Sequence, residues 1–322
     1  MTKRNLVIFA GLFAISLLRR PEAILQPTFW NEDYPVFYAG GSLLDPYRGY
    51  LHIVPRLIGA LEHFVPWPAL LGNVIALAVT AGVGTFVAGE RMVRLIPDWR
   101  LRLFAGTFAV AQPAIGELLG SITYIQWWLG LLLLLLAYSA GRPRWPELAV
   151  GALASVTGPF AFFAAPLHWL RSERRAFAAI LTIGAAVQLV TMLFAPRGVE
   201  PHIPGELPTI FARRLVLEPL LGQGLAGFLP PVVALAVGPC VFVALRALPK
   251  MLLLASAAVL VASLALSAET ASQLLDPGGA RRYFFIPGYL VGLGTCIAIG
   301  RGDRLAWPTA ALLVAGVLFD LR

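Results

Sequence analysis

Charge is scarce in this chain. Only 13% of its 322 residues are charged, against roughly 25% in a soluble domain. Such a deficit, with repeated apolar runs, excludes an ordinary water-soluble globule. Cysteine is nearly absent too: Cys240 and Cys296 are the only two, and both fall in apolar runs. That excludes a disulfide framework. No Cys/His spacing suggests zinc. The chain has no Walker A motif, no GxGxxG loop and no catalytic serine motif. It has no internal repeat, no low-complexity segment and no separate soluble domain. Of its 25 basic residues only two are lysine. They lie in short loops between apolar runs, which argues against a nucleic-acid partner despite the net charge of +8. A cleavage site is missing as well. The apolar run to Leu18 ends in Arg19-Arg20-Pro21-Glu22, so it reads as an uncleaved first span.

What is abundant is apolar surface. The chain is 58% hydrophobic, and its mean hydropathy is +0.78. The expected fold is all-α: a polytopic transmembrane helical bundle forming a single domain over 1–322. Crossing the hydrocarbon takes about 20 residues of helix. Nine full spans are placed at 5–19, 66–88, 101–122, 124–140, 176–195, 229–246, 250–268, 284–300 and 305–320. Between the fourth and fifth, residues 147–157 and 160–170 form two half-length apolar runs broken by Gly158-Pro159. Basic loops flank both, so the pair predicts a re-entrant helical hairpin, with one kinked span as the alternative. With the N-terminus cytoplasmic, the inner loops hold 15 of the 25 basic residues and five of the 17 acids. The positive-inside rule then gives an N-in, C-out chain. The longer loops, 20–65, 196–228 and 269–283, face outward and are the expected functional face. Within them 36–44, 50–64 and 209–221 are amphipathic and suit the interface.

The remaining polar residues are candidates because lipid concentrates charge where work is done. Glu32-Asp33 opens the first outer loop. Adjacent carboxylates there offer a general base, two ligands for a divalent cation, or a solvated loop acid. Arg48, His52 and Arg56 recur every four residues, so a helix aligns them on one face. Such a face suits a phosphate or a lipid headgroup, although Pro55 argues against a continuous helix. Glu117 falls in the third span, as an intramembrane carboxylate or as an interfacial one. Gln126 marks an outer turn. Arg281-Arg282-Tyr283 opens the span at 284–300, where two cations oppose the helix dipole. A lipid phosphate, Glu269 or Asp276 is the expected counter-charge. His63, His168 and His202 read as interfacial or surface residues.

Taken in order, five pieces resemble the glycosyltransferase C superfamily: Glu32–Phe37, Gly49–His52 with Pro55–Leu57, Gln126-Trp127, Thr157–Phe160 and Arg282–Phe284. The similarity is to bacterial membrane proteins of that type and spans about residues 30–290. It implies an enzyme of the bacterial plasma membrane that transfers a sugar from a polyprenyl-phosphate donor to an outer-face acceptor. Its partners are then the lipid-linked sugar and membrane lipid. It implies Asp33 as catalytic base, with Glu32 as alternative or metal ligand. Arg56, Arg281 and Arg282 hold the donor phosphate, assisted by His52, Tyr283 and Arg48. Glu117, Gln126, Gly158 and Pro159 line the acceptor or lipid groove. The resemblance names no firm cofactor; a divalent cation at Glu32/Asp33 is the one candidate. Rival readings are a flippase of a lipid-linked substrate and an inactive subunit of an envelope polysaccharide complex. No oligomeric state follows from the sequence.

Overall fold

The computed structural model describes residues 2–30, 32–113, 115–195, 205–266, 271–276 and 280–320. They form seventeen α-helices and no strand. In chain order these are α1 Lys3–Arg19, α2 Glu22–Leu25, α3 Ile53–Glu62, α4 Pro68–Ala88, α5 Trp99–Ala111 and α6 Ile125–Leu136. There follow α7 Trp145–Ser155, α8 Ala161–Trp169, α9 Arg175–Phe194, α10 Leu207–Phe211, α11 Glu218–Leu221 and α12 Gln223–Phe228. The last five are α13 Val233–Arg246, α14 Lys250–Ala265, α15 Ala271–Leu275, α16 Arg282–Gly300 and α17 Ala306–Asp320. Two π-helices, Asp33–Tyr38 and Ala212–Leu217, interrupt the pattern. Each carries a buried charged side chain, Asp33 in one and Arg214 in the other.

The expectation of nine full spans is not met. Among the described residues three helices are long and apolar enough to cross a membrane: Pro68–Ala88, Ser172–Phe194 and Arg282–Gly300. Shorter apolar helices occupy Ile125–Leu136, Val233–Arg246, Lys250–Ala265 and Ala306–Asp320. The run at 101–122 fails for a local reason. Pro113 disfavours helical backbone at the residue before it. Gln112 accordingly turns extended, with ψ 148°, and α5 stops at Ala111. The three long helices differ in surroundings. The apolar window of Arg282–Gly300 is 83% buried by protein, whereas that of Ser172–Phe194 is only 28% buried. The second presents Ile183, Leu189, Val190, Leu193 and Phe194 outward. Water would exact a hydrophobic cost for that face, and lipid would not.

The chain gathers into two compact units, Met1–Val83 with Leu118–Gly198, and Gly84–Glu117 with Val199–Arg322. In unit 1, α7 and α8 pack on α9 and on α6. The break expected at Gly158-Pro159 is present, since α7 ends at Ser155 and α8 begins at Ala161. In unit 2, α16 is central, packed by α5, α13, α14 and α17. Basic residues there and in unit 1 are spent on structure. Arg102 bonds the carbonyls of Ile96 (3.0 Å) and Pro97 (2.7 Å) and the Glu90 carboxylate (3.0 Å). Arg174 bonds Ser139 and Gly141.

Candidate active site

Unit 1 brings together four of the segments that the sequence singled out. Asp33 starts the first π-helix and is 2% exposed. It accepts from Thr123 Oγ1 (2.5 Å), Thr123 N (2.9 Å), Ser121 Oγ (3.2 Å) and Ile122 N (3.3 Å). Burial raises its pKa above the ordinary carboxylate value, and these four donors offset only part of that rise. The carboxylate therefore ties the first outer loop to the turn that starts α6.

Glu32, one residue earlier, is placed differently. Its side chain is 23% exposed. Oε1 accepts from Tyr47 Oη (3.1 Å) and Arg48 Nη2 (3.3 Å), while Oε2 is buried with no hydrogen-bond partner. Arg48 also donates from Nε to Tyr47 Oη at 2.9 Å. Tyr47 and Tyr50 close a two-residue turn, with φ of 50° at Arg48 and 81° at Gly49. A left-handed arginine costs on the order of 1 kcal/mol. The turn uses that strain to carry the Arg48 guanidinium to Glu32.

The helical face expected of Arg48, His52 and Arg56 does not form. α3 begins only at Ile53, and His52 is its cap. Pro55 falls in the first turn of α3, where its missing N–H needs no partner. Arg56 is 6% exposed, and its Nη atoms bond the carbonyls of Val36 (2.6 Å), Gly40 and Asp45 (3.2 Å). It shapes the loop from inside. His52, 2% exposed, sets Nε2 3.2 Å from the Tyr47 carbonyl, among the rings of Phe37, Tyr47 and Tyr50.

The helix break joins the same region. Gly158 N donates to Leu51 O at 3.0 Å, and Val54 N donates to Thr157 Oγ1 at 3.2 Å. Gln188, fully buried on α9, clamps both strands of chain: it accepts from Leu51 N (2.9 Å) and donates to Leu51 O (3.1 Å) and Gly158 O (3.2 Å). The sequence reading passed over Gln188. A lone glutamine in an apolar run of spanning length was the available signal. Gln126 donates to Thr123 O at 3.4 Å, with its Oε1 against Gly158. Gly158 has φ 81°, and a Cβ there would strike Gln126 Oε1. Gly158→Ala is expected to cost about 1–3 kcal/mol of stability, read as a lowered melting temperature of the purified protein.

Unit 2 holds the remaining candidates. Glu117, expected within a span, lies in a short 3-10 turn at Gly116–Leu118. It pairs with the Arg282 guanidinium and accepts from Arg282 N at 3.4 Å. Glu117 is thus a counter-charge at the start of α16, a role the sequence reading gave to other acids. Glu269 lies outside the described residues. Asp276 offers its carbonyl to Arg214. Arg282 stacks over Tyr283 at 4.7 Å, and its Nη2 is 3.3 Å from Tyr283 Oη. Arg281 lines a narrow cleft with Gln112, Pro113, Arg214, Glu218, Phe284 and neighbours, with room for about one water molecule. Gln112 is 3% exposed, and its Nε2 donor has no partner. Ala280, just before Arg281, takes φ 52°. Arg214 donates to Glu218 Oε1 at 2.6 Å and to Leu274 O at 2.8 Å. Burial raises the Glu218 pKa to about 7 against the pull of Arg214 and Arg281.

A cation site at Glu32/Asp33 fits poorly. Both oxygens of Asp33 face donors. No cluster of three His, Cys, Asp or Glu side chains suited to a metal occurs among the described residues. No protein-family model, curated protein or solved structure matches the chain.

Proposed function

We propose that the chain is a multi-pass plasma-membrane glycosyltransferase of the glycosyltransferase C type, using a polyprenyl-phosphate sugar on the outer face. The supporting observation is the convergence in unit 1 of residues 32–38, 47–56, 121–126 and 157–158 around one acidic pair. These segments are distant in sequence, and they carry four of the five pieces of the resemblance. A π-helix at the acidic pair is of the kind that recurs at functional sites.

The geometry exchanges the roles expected of the two acids. Asp33, saturated by four donors, is the positioning residue. Glu32, with Oε2 unpartnered, is the base. It takes the proton of an acceptor hydroxyl, whose oxygen attacks the anomeric carbon. The bond from that carbon to the phosphate oxygen breaks, and polyprenyl phosphate leaves with the electron pair. Arg56 and Arg282, two of the arginines expected to hold the donor phosphate, are engaged by protein.

The reading includes an N-in, C-out chain, with α7 and α8 as the re-entrant pair. A reporter fused after residue 322 is expected to read extracytoplasmic; a cytoplasmic signal rejects the odd number of crossings that an N-in, C-out chain requires. The activity itself is tested with purified protein in vesicles carrying a polyprenyl-phosphate sugar with labelled sugar. Transfer to a soluble acceptor is the expected result. Movement of the intact lipid between leaflets without transfer would instead make the protein a flippase.

A further inference from the structure

Glu62 was singled out by nothing in the sequence, yet it is the least compensated charge-bearing group of unit 1. It closes α3 and is 1% exposed. Its Oε2 is buried with no hydrogen-bond partner, and no cation pairs with it among the described residues. α3 lies against the π-helix that carries Asp33. On α4, the backbone at Gly72 closes on Glu62 Oε1, because a Cβ there would collide with that oxygen. The same Cβ would lie 3.3 Å from Ile122, whose amide is bonded to Asp33.

We infer that Glu62 is a buried proton-binding site of unit 1, holding its proton as a neutral carboxylic acid beside Asp33. An isolated carboxylate is too costly to bury without a partner, so the group takes a proton instead. Two neighbouring carboxyls then divide their roles by environment. Asp33 has four donors that favour its charged form, and Glu62 has none. The charged neighbour acting on Glu62 is Asp33 on the π-helix. Gly72 of α4 and Ile122 of the 121–123 turn lie beside it and carry no ionisable group; of the other helices packed against α3, α6 carries none and α7 carries only Glu147. His63, next along the chain, is turned away, stacked on Tyr38 at 4.3 Å with Nε2 2.8 Å from the Tyr38 carbonyl. Burial first, and Asp33 second, lift the Glu62 pKa from its ordinary 4.5 to about 8.

The site is therefore loaded at neutral pH and empties in mild alkali. This inference stands whether the chain transfers sugars or moves lipids.

The experiment is an infrared pH titration of the full-length protein in lipid nanodiscs, with isotope-labelled glutamate to mark glutamic-acid carboxyl bands. Wild type is expected to show a protonated glutamic acid that titrates near pH 8. Glu62→Gln removes that band, while Glu218→Gln removes a separate one nearer pH 7. Absence of any glutamic band titrating above pH 7.5 in wild type overturns the proposal without need of a variant. So does a titration unchanged by Glu62→Gln. A stability comparison gives an independent reading. Between pH 4.5 and about 8 the unfolded chain has released this proton and the folded chain still holds it, so wild type loses stability as pH rises. Glu62→Gln lacks that loss, and its melting temperature should gain on wild type across the same window. A constant difference across that window also overturns the assignment.

Discussion

Arg214→Met is expected to destabilise the protein by about 3–5 kcal/mol, the cost of leaving a buried charge without its partner. The pair is deeply buried, with side-chain exposures of 1% for Arg214 and 7% for Glu218. Arg214 also holds the carbonyls of Leu274 and Asp276. Methionine fills much of the volume but returns none of those bonds. The loss should depend on pH. Without Arg214 the Glu218 carboxyl titrates at a still higher pH than its present value of about 7. The folded variant then holds its proton over a range where wild type has released it, and its stability falls more steeply with rising pH. The deficit is largest above pH 7 and shrinks toward pH 5.5, where Glu218 is neutral in both proteins. The double variant Arg214→Met/Glu218→Leu should recover much of the loss, because no unpaired charge remains. Thermal unfolding in detergent at several pH values measures each outcome. Equal deficits at pH 5.5 and pH 8.5 would mean that Arg214 acts through packing alone.

Glu32→Gln is expected to slow sugar transfer by about 10²–10⁴-fold, the usual loss on removing a positioned general base. Its fold should survive, since the amide oxygen still accepts from Tyr47 and Arg48. Asp33→Asn should behave in the opposite way. Asparagine has one acceptor oxygen where Asp33 uses two, and its NH2 group faces amide or hydroxyl donors. A lost charge-assisted bond and an unsatisfied buried amide together cost about 3 kcal/mol. Asp33→Asn should therefore lower the melting temperature first, and lose activity through the fold. If Asp33→Asn melts like wild type and abolishes transfer, the base is Asp33 and the division of roles argued above is reversed.

Much of this arrangement was legible in the sequence. The all-helical character followed from apolar runs and few charges. The break at Gly158-Pro159 followed from two half-length runs; the amphipathic run at 50–64 contains the helix at 53–62, although Pro55 had argued against a continuous one. The count of spans did not follow, because hydropathy does not register where the backbone leaves the helix. Gln112-Pro113 ends α5, and the left-handed Gly120 precedes α6; apolar residues continue through both. The acidic pair was legible as a pair, but the difference between its members was not. Glu32 precedes the π-helix and Asp33 starts it, so the two side chains point in different directions, and only the fold delivers residues 121–123 to one of them. Glu62 was invisible for a related reason. At the polar end of an amphipathic helix it looks solvated, and only its packing against α4 removes it from water. Arg56 and Arg282 looked available for phosphate because a sequence does not show which carbonyls or carboxylates have already claimed them.

The most direct test of the central claim is single-turnover sugar transfer by the purified, reconstituted protein, with wild type and Glu32→Gln compared at saturating polyprenyl-phosphate sugar. The account predicts transfer by wild type, a rate lower by about 10²–10⁴-fold for Glu32→Gln, and unchanged donor binding in both. Equal rates for the two proteins, or no transfer by wild type with any such donor, would contradict it.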